Sequence, residues 1–420
     1  MIISSDIKNT IGIRSEEMRM ITPLDKNTTD LSSSEMTMTT PIETGNASSD
    51  IYDKTELFIP WNNPDNIISI QTFLSFEEAV TCGVSFILFL TGMPTNLLNC
   101  LVFYRQGLRD RMNLCLFSLA LVDMLYVTFF YLVGSYCHVG HLYPEIGEWW
   151  KFFVRKYFIG LYRGFLYSSG CLTMVIAVER CLCVTLPLQA ASLVKTRTIA
   201  VIIAGLVASL HAMCLLYPLQ FSMESRKNPD TGRVTFFLIP AQFYIQHRVL
   251  YNAVVNTFLM IVIPFATFVI VTIATAITVV QLKRAIAWRH GSSTSAASNA
   301  REMALVKMLV VVSLIYIAST APNIALGLTK LLVLDFNHTQ KYANIFVASH
   351  LMYLVIAQAN SSVNFYVYLF RSSRFRQELH SLLRLCKIQC GKPPGARRLC
   401  DTTMTAAKRH NHSESGGVHA

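Results

Sequence analysis

Seven times along this 420-residue chain an apolar run of roughly 20 residues or more recurs. A helix needs about 20 such residues to cross the hydrocarbon of a bilayer. A bilayer admits only helices and closed barrels, because each backbone N–H and C=O must find its partner within the protein. The runs are too long and too continuous for barrel strands. They lie at about 79–103, 112–134, 157–185, 198–220, 250–281, 303–329 and 345–370. The expected fold is therefore all-α, a seven-transmembrane helix bundle. Composition agrees: 52% of residues are hydrophobic and only 15% charged, against about 25% charged in soluble domains.

An odd number of spans puts the two tails on opposite sides, and Lys and Arg near the helix ends decide which. With the N-terminus outside, the inner segments 104–112, 186–198, 282–303 and 371–400 carry about 17 Lys and Arg; the outer segments 50–78, 135–156, 222–248 and 330–342 carry about 10. The N-terminus is expected outside. The net charge of +11 then reads as a topology signal, and nucleic acid is not an expected partner. Residues 1–75 form an extracellular, disordered tail, 76–385 the membrane domain, and 386–420 a cytoplasmic tail. Sequons at Asn27, Asn46 and Asn337 fall outside and are candidate glycosylation sites. The first 30 residues have no signal-peptide core, so the first helix is expected to start insertion itself. Cys386 and Cys390 follow a basic amphipathic stretch and are candidate palmitoylation sites, in contact with membrane lipid.

An ionisable group inside a spanning helix is costly and marks a functional candidate. Asp123 sits within "LCLFSLALVDMLYV". Asn96 lies in the first helix, Ser169 in the third, and Asn360, Ser361 and Asn364 in the seventh. None would face lipid, so they are expected to converge. The set reads either as a hydrogen-bond network joining helices, or as a small-cation (sodium-ion) site or protonation switch around Asp123. No other cofactor and no metal cluster is expected. Pro264 and Pro322 lie within the fifth and sixth helices and kink them.

These features in this order resemble a rhodopsin-like (class A) G-protein-coupled receptor over about 79–385. "GMPTNLLN" is similar to the family's helix 1, "LALVD" to helix 2, Glu179-Arg180-Cys181 to the Asp-Arg-Tyr motif, and "NSSVNFYVY" to the Asn-Pro-x-x-Tyr motif with Phe365 in the proline's place. "FRSSRFRQELHSLL" resembles the short amphipathic helix 8. The resemblance implies a receptor, not an enzyme, at the plasma membrane. It would bind an extracellular ligand, activate a heterotrimeric G protein through helix 6 movement and, once phosphorylated, recruit arrestin. It implies a switch of Glu179, Arg180, Glu302, Asn364 and Tyr368, with Arg180 held at rest by Glu179 and Glu302. Arg180 and Leu188 would contact the G protein. It places the ligand among Tyr162, Arg163, His211, Asn256, Thr320 and Asn323. Without those motifs, Glu179-Arg180 would read simply as a helix end at the headgroups.

The chain also departs from the family. Thr320 stands where the family has its helix 6 tryptophan, and Ala208 near the place of the helix 4 tryptophan. The outer end of helix 3 and residues 222–248 lack cysteine, so the family's usual disulfide cannot form. Cys137 is the one cysteine clearly in an outer loop, and a mobile outer face is expected. Tyr162 where amine receptors carry Asp argues against a biogenic amine. "GLRDRMNLCLFSLALVD" and "ERCLCVTLPL" look like invertebrate, molluscan-type chemosensory or FMRFamide-like peptide receptors, so peptide and small-molecule ligands stay level. Alternatives are a non-signalling relative and a small-solute transporter or channel.

Overall fold

The computed structural model describes residues 66–186, 195–227, 234–289, 296–336 and 340–390; for Glu302, Cys386 and Cys390 it describes the backbone alone. Seven long helices build it. They are α1 (Ile70–Gln106), α2 (Arg111–Gly134), α3 (Pro144–Thr185) and α4 (Thr196–Cys214), then α5, α6 (Ala296–Leu332) and α7 (Ala343–Arg371). α5 starts at Arg248–Tyr251, passes through a π-helical stretch, Asn252–Val262, and continues as Ile263–Arg289. A shorter α8, Ser373–Cys390, follows α7.

Six of the seven are long and apolar enough to cross a membrane. α7 is long enough, at 29 residues or roughly 43 Å at ~1.5 Å per residue, but more polar. Its polarity is turned inward: Asn344, Gln358, Ser361, Ser362 and Asn364 are buried. Elsewhere the pattern is the reverse of a soluble protein's, with Ile87, Leu90, Val201 and Ile273 on the outer surface of the helices. Apolar surface facing hydrocarbon loses nothing by staying exposed, so helix association rests on fit and on buried polar pairs.

Two apolar clusters bracket the polar middle. Toward the inner end, Phe103, Leu116, Leu172, Met308, Tyr368 and Phe375 tie α1, α2, α3, α6, α7 and α8 together. Toward the outer end, Tyr126, Phe130, Tyr162 and Leu354 do so for α2, α3 and α7. α8 takes its place through Phe375 and Leu379, which are buried, while Arg374 and Arg376 stay exposed. α2 is started by Asp110, whose carboxylate accepts from the Met112 N–H at 3.0 Å, the usual role of an N-cap. Within α5 the π-helical stretch ends two residues before Pro264. A proline removes one helical hydrogen bond and crowds the preceding turn, and a widened turn is where a helix absorbs that.

The outer end differs most from expectation. α3 begins at Pro144, not 157, and runs for 42 residues, about twice a span. The extension carries Trp149, Trp150, Phe153 and Tyr157, the amphipathic rings that favour a headgroup boundary. Its charged residues break the apolar run but not the helix. α4 ends at Cys214, and β1 (Phe221–Lys227) pairs antiparallel with β2 (Val234–Pro240), Phe221 opposite Pro240. The helical bundle thus carries one hairpin in its second outer loop. α1 begins at Ile70, capped by the Ser69 hydroxyl, which accepts from the Thr72 N–H.

The expectation of an unbridged, mobile outer face is corrected. Cys82, in a π-helical stretch of α1 (Ala79–Val84), is bonded to Cys137 in the short helix Tyr136–Leu142, with their Cα atoms 5.9 Å apart. Cys82 lay inside an apolar run, where a cysteine is ordinarily a small hydrophobe; only the fold brings it beside Cys137. One turn further out, Arg155 of α3 donates to Glu77 of α1 at 2.7 Å. A disulfide closing a loop of this size, 55 residues, contributes about 2–4 kcal/mol. Cys82→Ser, Cys137→Ser and the double variant are therefore expected to lower the melting temperature of the purified chain equally. Reductant should lower the wild type to the same value and leave the variants where they are; additive losses in the double variant would show that the two thiols act separately.

Candidate functional site

Toward the inner end, α3 and α2 meet in an ion triad. Glu179 is 2% exposed. It accepts from Arg180 at 2.5 and 2.7 Å and from Arg111, at the first turn of α2, at 2.8 Å. The Cys183 thiol lies 3.4 Å from the same carboxylate. A lone buried carboxylate would be strongly disfavoured, and so would either guanidinium brought alone against the other. Glu179 is the buried anion that lets two cations, Arg180 buried and Arg111 partly exposed, share one site. Arg111 was not among the residues singled out from the sequence. It stands on another helix, 68 positions away, and no local pattern links it to Glu179. The expected partner Glu302 lies in α6, with only its backbone described.

In the middle of the bundle the expected polar set converges on Asp123, buried at 1% exposure. Its Oδ1 accepts from the Ser169 hydroxyl at 2.6 Å and the Ser361 hydroxyl at 2.8 Å. Its Oδ2 accepts from the Asn364 amide at 2.9 Å. One carboxylate thus joins α2, α3 and α7. Asn96 extends the network to α1, donating to the Ser361 carbonyl at 2.9 Å. This close approach of α1 and α7 depends on Gly92, where a Cβ would collide with the Ser362 hydroxyl. Asn360 lines the cavity beside this network.

That cavity, about 30 Å³, lies between α3, α5, α6 and α7, with Ser169, Pro264, Tyr316, Thr320, Asn360 and Ser361 in its walls. The small Thr320 side chain helps to leave this space. The neighbouring Tyr316 hydroxyl donates to Thr267 of α5 at 2.9 Å. Gly170 admits it, since a Cβ there would sit 2.9 Å from that hydroxyl. Helix α5 is therefore tied to α6 across a gap that α3 keeps open.

The expected ligand residues divide. Arg163 bridges from α3 to α7, its Nη2 3.0 Å from His350 Nε2. Thr320 faces the central cavity. Asn323 lines a separate groove between α5 and α6 with Met260 and Phe265. Tyr162 is packed in the outer apolar cluster, edge-on to Phe130. His211 is packed against α3 beside Phe165 and Gly164, its Nδ1 on the Val207 carbonyl at 2.9 Å. Asn256 donates to Asn252 within α5. The structure thus brings Asp123, Ser169, Asn364 and Asn96 into one network but spreads the six ligand residues over several places. Tyr368 is buried against Phe103 and Phe375 at the α7–α8 corner. Leu188, Asn27, Asn46 and Asn337 lie outside the described residues, as do the side chains of Cys386 and Cys390.

A family model described as 7 transmembrane receptor (rhodopsin family) matches residues 95–368. A search of curated proteins returned no match.

Proposed function

The chain belongs to the rhodopsin family of seven-transmembrane receptors, and from that premise we propose that it binds an extracellular ligand and activates a heterotrimeric G protein at the plasma membrane. The observation that supports this best is the ion triad. A buried carboxylate holds Arg180 at the inner end of α3 and ties it to α2 through Arg111. Such a dry, strongly coupled group has two discrete arrangements, paired within the bundle or released to a partner, which is what a switch requires. Glu302 of α6 and Leu188 are proposed to complete the inner face. Tyr368 and Asn364 belong to the same proposed switch.

A neuropeptide or a chemosensory cue is the proposed ligand class, on the likeness to invertebrate receptors. Arrestin recruitment, glycosylation at Asn27, Asn46 and Asn337, and palmitoylation at Cys386 and Cys390 belong to the same proposal. Residues 1–75 would be the extracellular tail and 386–420 the cytoplasmic one. A sodium ion beside Asp123 belongs to the same proposal. Three donors occupy the carboxylate, of about four lone-pair sites available, and the cavity adjoins Ser169 and Ser361.

A non-signalling relative is the second reading, supported by Thr320 in place of the family's tryptophan. One experiment separates them. Wild type, Glu302→Ala and Arg180→Ala are expressed at matched surface levels, and basal activation of each G-protein class is measured. A signalling receptor is expected to show basal activity in one class, raised by Glu302→Ala and abolished by Arg180→Ala. Silence of all three in every class would establish the second reading.

A further inference from the structure

Among the described residues, Arg163 is a cation without an anion. It lies 17 residues before Arg180, roughly 25 Å toward the outer end at ~1.5 Å per residue. Its guanidinium stands 5.6 Å from the Tyr162 ring and 5.4 Å from the Tyr217 ring. Its Nη1 is 3.5 Å from the Tyr167 hydroxyl, at the limit of a hydrogen bond. Its Nε is buried and has no hydrogen-bond partner. Among the described residues no carboxylate comes within 4.0 Å of it.

Its firm partner is His350, on α7. A guanidinium only donates, so His350 Nε2 must accept, and that ring is neutral with its proton on Nδ1. The contact therefore orients Arg163 without neutralising it. A second cation stands nearby: Phe346, one turn from His350 and stacked on it, carries the Lys330 ammonium 5.6 Å above its ring. Aromatic faces and a neutral imidazole soften a buried charge, but buried charges are ordinarily paired. Here the described residues around it supply no pairing group. The residue as a whole is only half-buried.

We propose that Arg163, oriented by His350 and walled by Tyr217, anchors a carboxylate on the activating ligand. One buried positive charge is balanced by one negative charge. A monoanion with two coplanar oxygens matches the donor fork of a guanidinium and balances Arg163 by itself; a phosphate dianion would need Lys330 as well. The carboxylate can come from a small organic acid or from the free C-terminus of a peptide. The proposal rests on the receptor reading for its word "activating", but the site itself is tested without signalling.

The test is thermal unfolding of the purified full-length chain in lipid nanodiscs, at one ionic strength set with sodium chloride. The probes are benzoate and N-acetylphenylalanine, their uncharged carboxamides, and inorganic phosphate. Unliganded Arg163→Gln is expected to melt a few degrees above wild type, because an unbalanced buried charge has been removed. Carboxylates should raise the wild-type Tm, carboxamides should not, and the shift should vanish in Arg163→Gln. Arg163→Lys, which keeps the charge and loses the fork, should retain a smaller shift, and serves if the glutamine variant does not fold. A larger shift with benzoate assigns a small acid, and one with N-acetylphenylalanine a peptide terminus. The proposal is overturned if Arg163→Gln melts lower and carboxylates shift it as they shift wild type, or if phosphate matches them. A carboxylate shift that depends on Arg163 in a chain without Arg180-dependent signalling would keep the site and remove the receptor reading. Signalling without the shift would do the opposite.

Discussion

Glu179→Gln is expected to raise basal G-protein activation about five- to thirty-fold over wild type at matched surface expression. The substitution keeps shape and removes the charge that two guanidiniums share. Breaking a buried pair by removing one partner costs about 3–5 kcal/mol. That penalty falls on the resting arrangement, in which Arg111 and Arg180 stay close. An active arrangement that releases Arg180 to a partner escapes part of it. A differential of ~1–2 kcal/mol between the two states corresponds to the stated range. Arg111→Gln leaves the Glu179–Arg180 pair intact and should raise basal activity less, while the resting receptor of either variant should melt below wild type. Unchanged basal activity in Glu179→Gln, with stability lowered, would mean that the triad merely closes a helix end.

The second large effect is expected at Asp123. Asp123→Ala strips the acceptor from Ser169, Ser361 and Asn364 at once. The two serine hydroxyls can turn back to carbonyls of their own helices, but the buried Asn364 amide cannot. A loss of about 3 kcal/mol follows, with receptor function abolished, since an unsatisfied buried group costs about 1–3 kcal/mol and α2, α3 and α7 lose their common tie. Asp123→Asn places one amide against another and should fail in part. The exchange Asp123→Asn with Asn364→Asp reverses donor and acceptor between α2 and α7 while leaving one oxygen for both serines, so it should recover most of the stability. If it does no better than Asp123→Asn alone, the network is not what joins these helices. The same series tests the proposed ion: replacing sodium with choline should lower the Tm of wild type and leave Asp123→Asn unmoved.

What could be read from the sequence follows the physics of the bilayer. Hydrocarbon imposes length and apolarity on a crossing segment, so the seven spans were visible, and so was the cost of Asp123, Asn96 and Asn364 within them. Convergence of those residues followed from that cost alone. The outer part of α3 was missed because apolarity reports where a helix meets hydrocarbon and says nothing about where the helix begins. Glu145, Glu148, Lys151 and Arg155 end the apolar run and favour a helix equally well. The β1–β2 hairpin and the Cys82–Cys137 bond depend on contacts between distant segments, as does the pairing of Arg111 with Glu179. The ligand residues were the least legible. The family resemblance singled out Tyr162, His211 and Asn256 on α3, α4 and α5, and side-chain direction sends the first two into packing and the third onto Asn252.

The position of the disulfide bears on how the chain is made. Both of its cysteines belong to the first two spans and the short helix after them. During synthesis the pair is complete once α2 has crossed, and with the proposed plasma-membrane topology both cysteines lie on the oxidising side of the membrane. At about 5–20 residues per second, the ribosome needs many more seconds to deliver α3 to α7. The bond can therefore close on a two-helix hairpin, before the bundle exists, and fix the approach of α1 to α2 while α7 is still unmade. Later helices then assemble against a template that is already covalently set. The polar face of α7, the least apolar of the seven, meets Asn96 and Asp123 on a surface waiting for it.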